Sequence, residues 1–172
     1  MKKIFVTSKN KIHKVVKKTG AKHVLSITDV NDLLFITPRL AETNMLQLSF
    51  EDVIDEDARH APTKEHVQTI LDWASDIPED EDIAIHCFAG VSRSSASAIA
   101  IKAMKFAGNP HMAKLAVNAI HRDHPHICPN PVITKFADEI LGFDGELHKE
   151  SEKVANALLI SKFGNWNDEK NS

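Results

Sequence analysis

Residues 83–107 pass from a run of strand formers, Ile83-Ala84-Ile85, through His86-Cys87 and a loop with one glycine. They end in a segment whose apolar residues recur every three or four positions. In that segment Ala96, Ile99, Ala100, Ala103, Met104 and Ala107 share one helix face, and Gly108 is a stop signal. A strand that feeds a helix through a short loop is the repeating half of an α/β domain. The same alternation precedes it. Residues 3–7 predict a buried strand, with Ser8 as N-cap of a helix carrying Ile12, Val15 and Val16 and stopped by Gly20. Residues 21–28 predict a second strand and residues 44–50 a third, which stops at Glu51-Asp52. Leu33-Leu34-Phe35-Ile36 reads as a further short strand ended by Pro38.

Beyond the acidic stretch 51–61, Pro62 is placed for the first turn of a helix in which Val67, Ile70, Leu71 and Ala74 fall at i, i+3, i+4 and i+7. Trp73 on that helix is expected in the core. Asn109-Pro110 and Asn130-Pro131 are start signals for two more helices. Leu115, Val117, Ala119 and Ile120 follow the first; Ile133, Phe136, Ala137, Ile140 and Leu141 follow the second, up to Gly142. Residues 146–163 predict a weakly amphipathic helix that docks on its own domain, and 164–172 a polar tail containing Trp166. Strands interleave with helices, then helices dominate.

Composition excludes several classes. A chain of 172 residues with 42% apolar and 26% charged residues suits one globular domain with its own core. No run reaches the ~18 apolar residues of a membrane span, and the N-terminus lacks the ~7–15 of a secretory signal, so a cytoplasmic protein with no membrane partner is expected. The net charge is -3 without a basic block, so no nucleic-acid partner is expected. Two cysteines, Cys87 and Cys128, form neither a disulfide framework nor a CxxC pair.

Ile83 to Ser94 reads IAIHCFAGVSRS. Backbone N–H groups at a helix start are unpaired and the helix dipole is positive there, so the loop before the helix suits an anion. Gly90 permits a tight loop with convergent amides. Arg93 offers a planar fork matching two phosphate oxygens. Such a field also favours a thiolate, the nucleophilic form of cysteine. Cys87 can therefore attack phosphorus, Ser94 can donate a hydrogen bond to the sulfur, and His86 can orient the loop.

HCFAGVSRS resembles the HCxxGxxR[ST] signature of the cysteine-dependent protein tyrosine and dual-specificity phosphatases. LSFED upstream is similar to the strand and acid loop of compact members, and CPNP followed by FADEILGFDGEL is similar to the distal helices of small bacterial tyrosine phosphatase-like proteins. The resemblance covers about residues 1–147 as a phosphatase-like domain, with 148–172 as a C-terminal helical extension and polar tail. It implies a central, mainly parallel sheet of about four to five strands flanked by helices, a compact dual-specificity-phosphatase-like fold. It implies no metal and no cofactor. It implies Cys87 as nucleophile, Arg93 as phosphate ligand, Ser94 as helper, and a cradle of Phe88, Ala89, Gly90, Val91, Ser92 and Arg93. The substrate is then a phosphorylated protein or a small phosphate monoester.

The family's general acid is an aspartate on an upstream loop. Asp52, directly after the third strand, fits best; Asp55 is the alternative and Asp57 a third. The chain departs from the large tyrosine-specific enzymes in having no WPD loop and no tyrosine at all. No lysine lies between Cys87 and Arg93, which argues against a highly charged inositol substrate. A cluster from His121 to Cys128 suits a polar loop better than a metal, and a Cys87–Cys128 disulfide stays open. The competing function is a phosphate-binding module with weak or no turnover.

Overall fold

The computed structural model describes residues 2–32 and 36–164. Four strands, β1 (Ile4–Ser8), β2 (His23–Thr28), β3 (Asn44–Ser49) and β4 (Ile83–Cys87), form one sheet in the order β1-β4-β2-β3. Every pairing is parallel. Among the described residues seven α-helices flank it: α1 (Ile12–Thr19), α2 (Pro38–Ala41), α3 (Lys64–Ser75), α4 (Arg93–Ala103), α5 (Ala113–Asp123), α6 (Pro131–Leu141) and α7 (Glu146–Phe163).

The central strands β2 and β4 are buried throughout, as a parallel sheet covered on both faces requires. Alternation sorts their side chains. Val24 and Ala84 face a small cluster with Ile12, Val16 and Leu40 of α1 and α2. Leu25, Ile27, Ile83, Ile85 and Cys87 face the larger core built with α3 to α6. Because all strands run the same way, their C-terminal ends share one edge. Ser8 stands opposite Cys87, and Thr28 opposite Ser49. Open α/β sheets bind ligands at that edge.

Local structure departs from the sequence pattern in several places. Ser8 does not cap α1: it stays in β1 opposite Cys87, and a 3-10 turn (Lys9–Lys11) precedes the helix. Pro62 lies outside α3; Thr63 is the cap, its Oγ1 accepting from the His66 N–H at 3.3 Å while His66 Nδ1 accepts from the Thr63 N–H at 3.1 Å. Leu33 to Phe35 lie outside the described residues. Ile36 is not in a strand, and Pro38 opens α2 behind the Thr37 cap rather than ending a strand. Leu115 is 52% exposed because the inward stripe of α5 is Ala113, Ala116, Val117 and Ile120. Trp73 is partly buried against the core, edge-on to His23. The boundary expected at 147/148 falls within α7, which packs on α5 and α6. Trp166 lies outside the described residues.

Candidate active site

Cys87 ends β4 with 1% of its surface exposed. Its Sγ lies 3.1 Å from Ser94 Oγ and accepts the Gly90 N–H at 3.3 Å. The intervening loop turns tightly at Gly90, which has φ +75°. A Cβ there would fall 2.4 Å from the Thr7 carbonyl carbon and 2.6 Å from Ser8 N, so only glycine lets the loop sit on β1. The Lys9 N–H to Phe88 carbonyl bond, 3.2 Å, holds the same side. Phe88 and Ala89 are exposed, Gly90 to Ser92 partly so, and Arg93 is buried as the first residue of α4.

Arg93 is held from two strand ends. Its Nη1 donates to the Phe50 carbonyl and pairs with Asp29 Oδ1, both at 2.6 Å. Its Nε is buried and has no hydrogen-bond partner; Asp52 Oδ2 approaches it at 3.8 Å. The guanidinium is thus fixed through one nitrogen, and its Nε is left without a hydrogen bond at the start of α4, one residue before the Ser94 that meets the thiol.

The structure brings Asp52 to this cradle and leaves Asp55 out. Asp52 Oδ1 accepts from Ser92 Oγ at 2.6 Å and from Asn130 Nδ2 at 2.9 Å. Asp55 is exposed and its Oδ1 accepts the Asp57 N–H on its own turn. Asn130 is fully engaged: Oδ1 accepts the Val132 and Ile133 N–H groups as the α6 cap, and Nδ2 also donates to the Val53 carbonyl.

His86 faces the opposite side of the sheet. Its Nε2 lies 2.9 Å from Ser26 Oγ and its Nδ1 3.4 Å from the Cys87 carbonyl. Burial, reinforced by the charges of Lys9, His13 and Arg93, pushes the imidazole down to about 4 against the favourable Cys87 carbonyl. It is neutral at pH 7, which suits a brace for the loop and not a proton carrier. Both cysteines are free. The Cys128 N–H donates to the Val91 carbonyl at 2.9 Å, and burial followed by the Asp52 charge raises its thiol. His124 lies against β1, and among the described residues no three His, Cys, Asp or Glu converge on a metal position.

Three participants escaped the sequence. Asp29 follows β2 directly, and its place at the C-terminal edge of a parallel sheet was the available signal. Asn130 was recognised as a cap, but its second role depends on where α6 meets the Asp52 loop. The Phe50 carbonyl carries no sequence signal.

No family model and no curated protein matches the chain. Solved structures do. PTPMT1 in complex with PI(5)P is 20% identical over 89% of this chain and 94% of its own, with TM-score 0.59. Tk-PTP in the active form is 19% identical over 87% and 93%, with TM-score 0.55. The human tyrosine phosphatase-like serine/threonine/tyrosine-interacting protein is 18% identical over 82% and 92%, with TM-score 0.63. The four parallel strands, their helical layers and the buried thiol at the sheet's C-terminal edge are therefore arranged in the fold of the protein tyrosine and dual-specificity phosphatases.

Proposed function

We propose that this protein hydrolyses phosphate monoesters as a protein tyrosine or dual-specificity phosphatase, through a phosphocysteine intermediate. The observation that carries the reading is the thiol hydrogen-bonded to Ser94 at the start of the same helix as Arg93, whose buried Nε makes no hydrogen bond. Arg93 Nε and the amides of residues 88–93 hold the phosphoryl oxygens. Cys87 Sγ attacks phosphorus in line; the S–P bond forms as the ester P–O bond breaks, and Asp52 gives its proton to the leaving oxygen. Water then attacks phosphorus, Asp52 takes its proton, and the S–P bond breaks with Ser94 Oγ stabilising the departing thiolate. His86 braces the loop. No metal or cofactor enters the cycle. A cytoplasmic setting is supported by two free thiols.

Turnover of an aryl phosphate is expected, abolished in Cys87→Ser, with vanadate protecting Cys87 from alkylation. Vanadate protection without turnover would favour the second reading, a phosphate-binding module. What supports that alternative is the double hydrogen bond on Asp52 Oδ1, which ties the acid to the cradle.

A further inference from the structure

The floor of the cradle is buried, and an exposed apolar side chain follows each of Cys87 and Asp52 within two residues. Cys87 and Arg93 are 1% and 2% exposed, whereas Phe88, next to Cys87, is 64% exposed and Ile54, two residues past Asp52, is 80% exposed. Neither sits on a loose loop. The Phe88 carbonyl accepts the Lys9 N–H, and the Val53 carbonyl accepts from Asn130 Nδ2 at 2.9 Å. Both apolar side chains are therefore open to contact by the flanking groups of a ligand held over Cys87.

The segment around Ile54 is acidic. Glu51 turns inward to the Val30 N–H, Asp52 faces the cradle, and Glu56 pairs with Lys135 at 2.8 Å. Asp55 and Asp57 remain exposed, fixed to each other by the bond from the Asp57 N–H to Asp55 Oδ1 at 3.0 Å. Arg59, exposed and bonded through Nε to His60 Nε2 at 3.0 Å, keeps its charge and is the cation set against these carboxylates. Residues 51–60 thus hold five carboxylates against one arginine, so the segment that follows the exposed Ile54 is anionic in balance.

We infer that this rim selects a phosphorylated peptide with an apolar residue next to the phosphorylated side chain and a Lys or Arg just beyond it. The inference rests on the phosphatase reading and names the substrate class of the same site. The apolar residue covers Ile54 and Phe88 while the cation meets Asp55 and Asp57. A polyphosphorylated sugar would leave both apolar side chains in water and set its further phosphates against this loop.

Two fluorescent phosphotyrosine peptides test it, one with Leu and Lys on both sides of the phosphotyrosine, the other with Ser and Glu. They are titrated against the Cys87→Ser protein and turned over by the wild type. The Leu/Lys peptide is expected to bind about tenfold tighter, the effect of covering part of one large apolar side chain. Ile54→Ser should remove most of the Leu contribution, and Asp57→Lys should move the preference towards Glu. Turnover of 4-nitrophenyl phosphate should stay within about twofold in Ile54→Ser, whose side chain is 80% exposed. Equal binding of the two peptides, or an unaltered preference in Asp57→Lys, overturns the inference. So does co-sedimentation with phosphatidylserine vesicles that Ile54→Ser abolishes while the peptides bind alike, which would make the rim a membrane-facing surface. Binding is read on Cys87→Ser, so a wild type without turnover would sink the phosphatase reading and leave the peptide comparison intact.

Discussion

Arg93 shows how a buried cation is tolerated: Nη1 is taken by the Phe50 carbonyl and Asp29, and Nε, without a hydrogen bond, has the Asp52 carboxylate at 3.8 Å. Asp52 owes its place to the same neighbourhood. With Oδ1 held by Ser92 and Asn130, Oδ2 is directed to the Arg93 side, where a leaving oxygen would lie. Asp52→Asn should slow phenyl phosphate by ~10²–10⁴ and 4-nitrophenyl phosphate less, because a good leaving group needs little proton donation. Asp55→Asn should alter neither rate; a larger loss in that variant would move the acid to Asp55. His86 gives a prediction in pH. Its ordinary value of 6.5 falls to about 4 in the folded protein. Between those values the unfolded chain binds more protons, so stability is complete above pH 6.5 and falls as pH drops towards 4. The difference is worth roughly 3 kcal/mol. Urea midpoints at several pH values across that window should decline for the wild type and stay flatter in His86→Gln. Equal slopes would assign the decline to other groups.

Asn130 links an element to the chemistry, because one amide caps α6 and clamps the Asp52 loop. Two substitutions separate these roles. Asn130→Asp keeps an acceptor for the Val132 and Ile133 N–H groups but removes the donor and adds a charge beside Asp52. It should keep the thermal midpoint within a few degrees while lowering phenyl phosphate turnover more than 4-nitrophenyl phosphate turnover. Asn130→Ala should also lose about 1 kcal/mol of cap stability. If Asn130→Asp turns both substrates over like the wild type, the clamp has no catalytic consequence. This coupling also marks how far the sequence could be read. The strands were legible because β-rich apolar runs are short and bounded, and the Asn130 and Gly142 signals of α6 act within a few residues. Cys87, Gly90, Arg93 and Ser94 were legible because they share one loop and one helix start. Asp29 and the second role of Asn130 were not, because each meets the site through packing of elements far apart in the chain. The turn Lys9–Lys11 was missed because tertiary bonds, not the Ser8 side chain, decide where α1 begins.

The whole molecule depends on α7 for only part of that helix's length. Leu147, Ser151 and Val154 are its buried residues, and His148 Nδ1 lies 3.0 Å from Thr134 Oγ1 of α6. Its start is capped from another helix: Asp138, 5% exposed on α6, accepts the Gly145 N–H with Oδ1 at 2.7 Å and the Leu147 and His148 N–H groups with Oδ2 at 2.7 and 3.0 Å. Beyond Val154 no described residue of α7 is buried, and Leu159, Ile160 and Phe163 are 45%, 52% and 71% exposed. The boundary that matters for stability should therefore lie within α7. Ending the chain after Ala155 keeps all three buried side chains and the Asp138 bonds, and should shift the thermal midpoint by no more than a few degrees. Ending it after Asp144 removes them together. Two buried apolar side chains contribute about 1.5–3 kcal/mol each, and a buried carboxylate that loses its donors adds several more. That total rivals the ~5–15 kcal/mol net stability of a domain, so the shorter protein should be largely unfolded at 25 °C. Asp138→Ala in the full chain removes the cap and leaves the apolar contacts, and its midpoint should fall between the two truncations. A protein ending at Asp144 that melts within a few degrees of the wild type would show that α7 is an appendage and that the domain is complete without it.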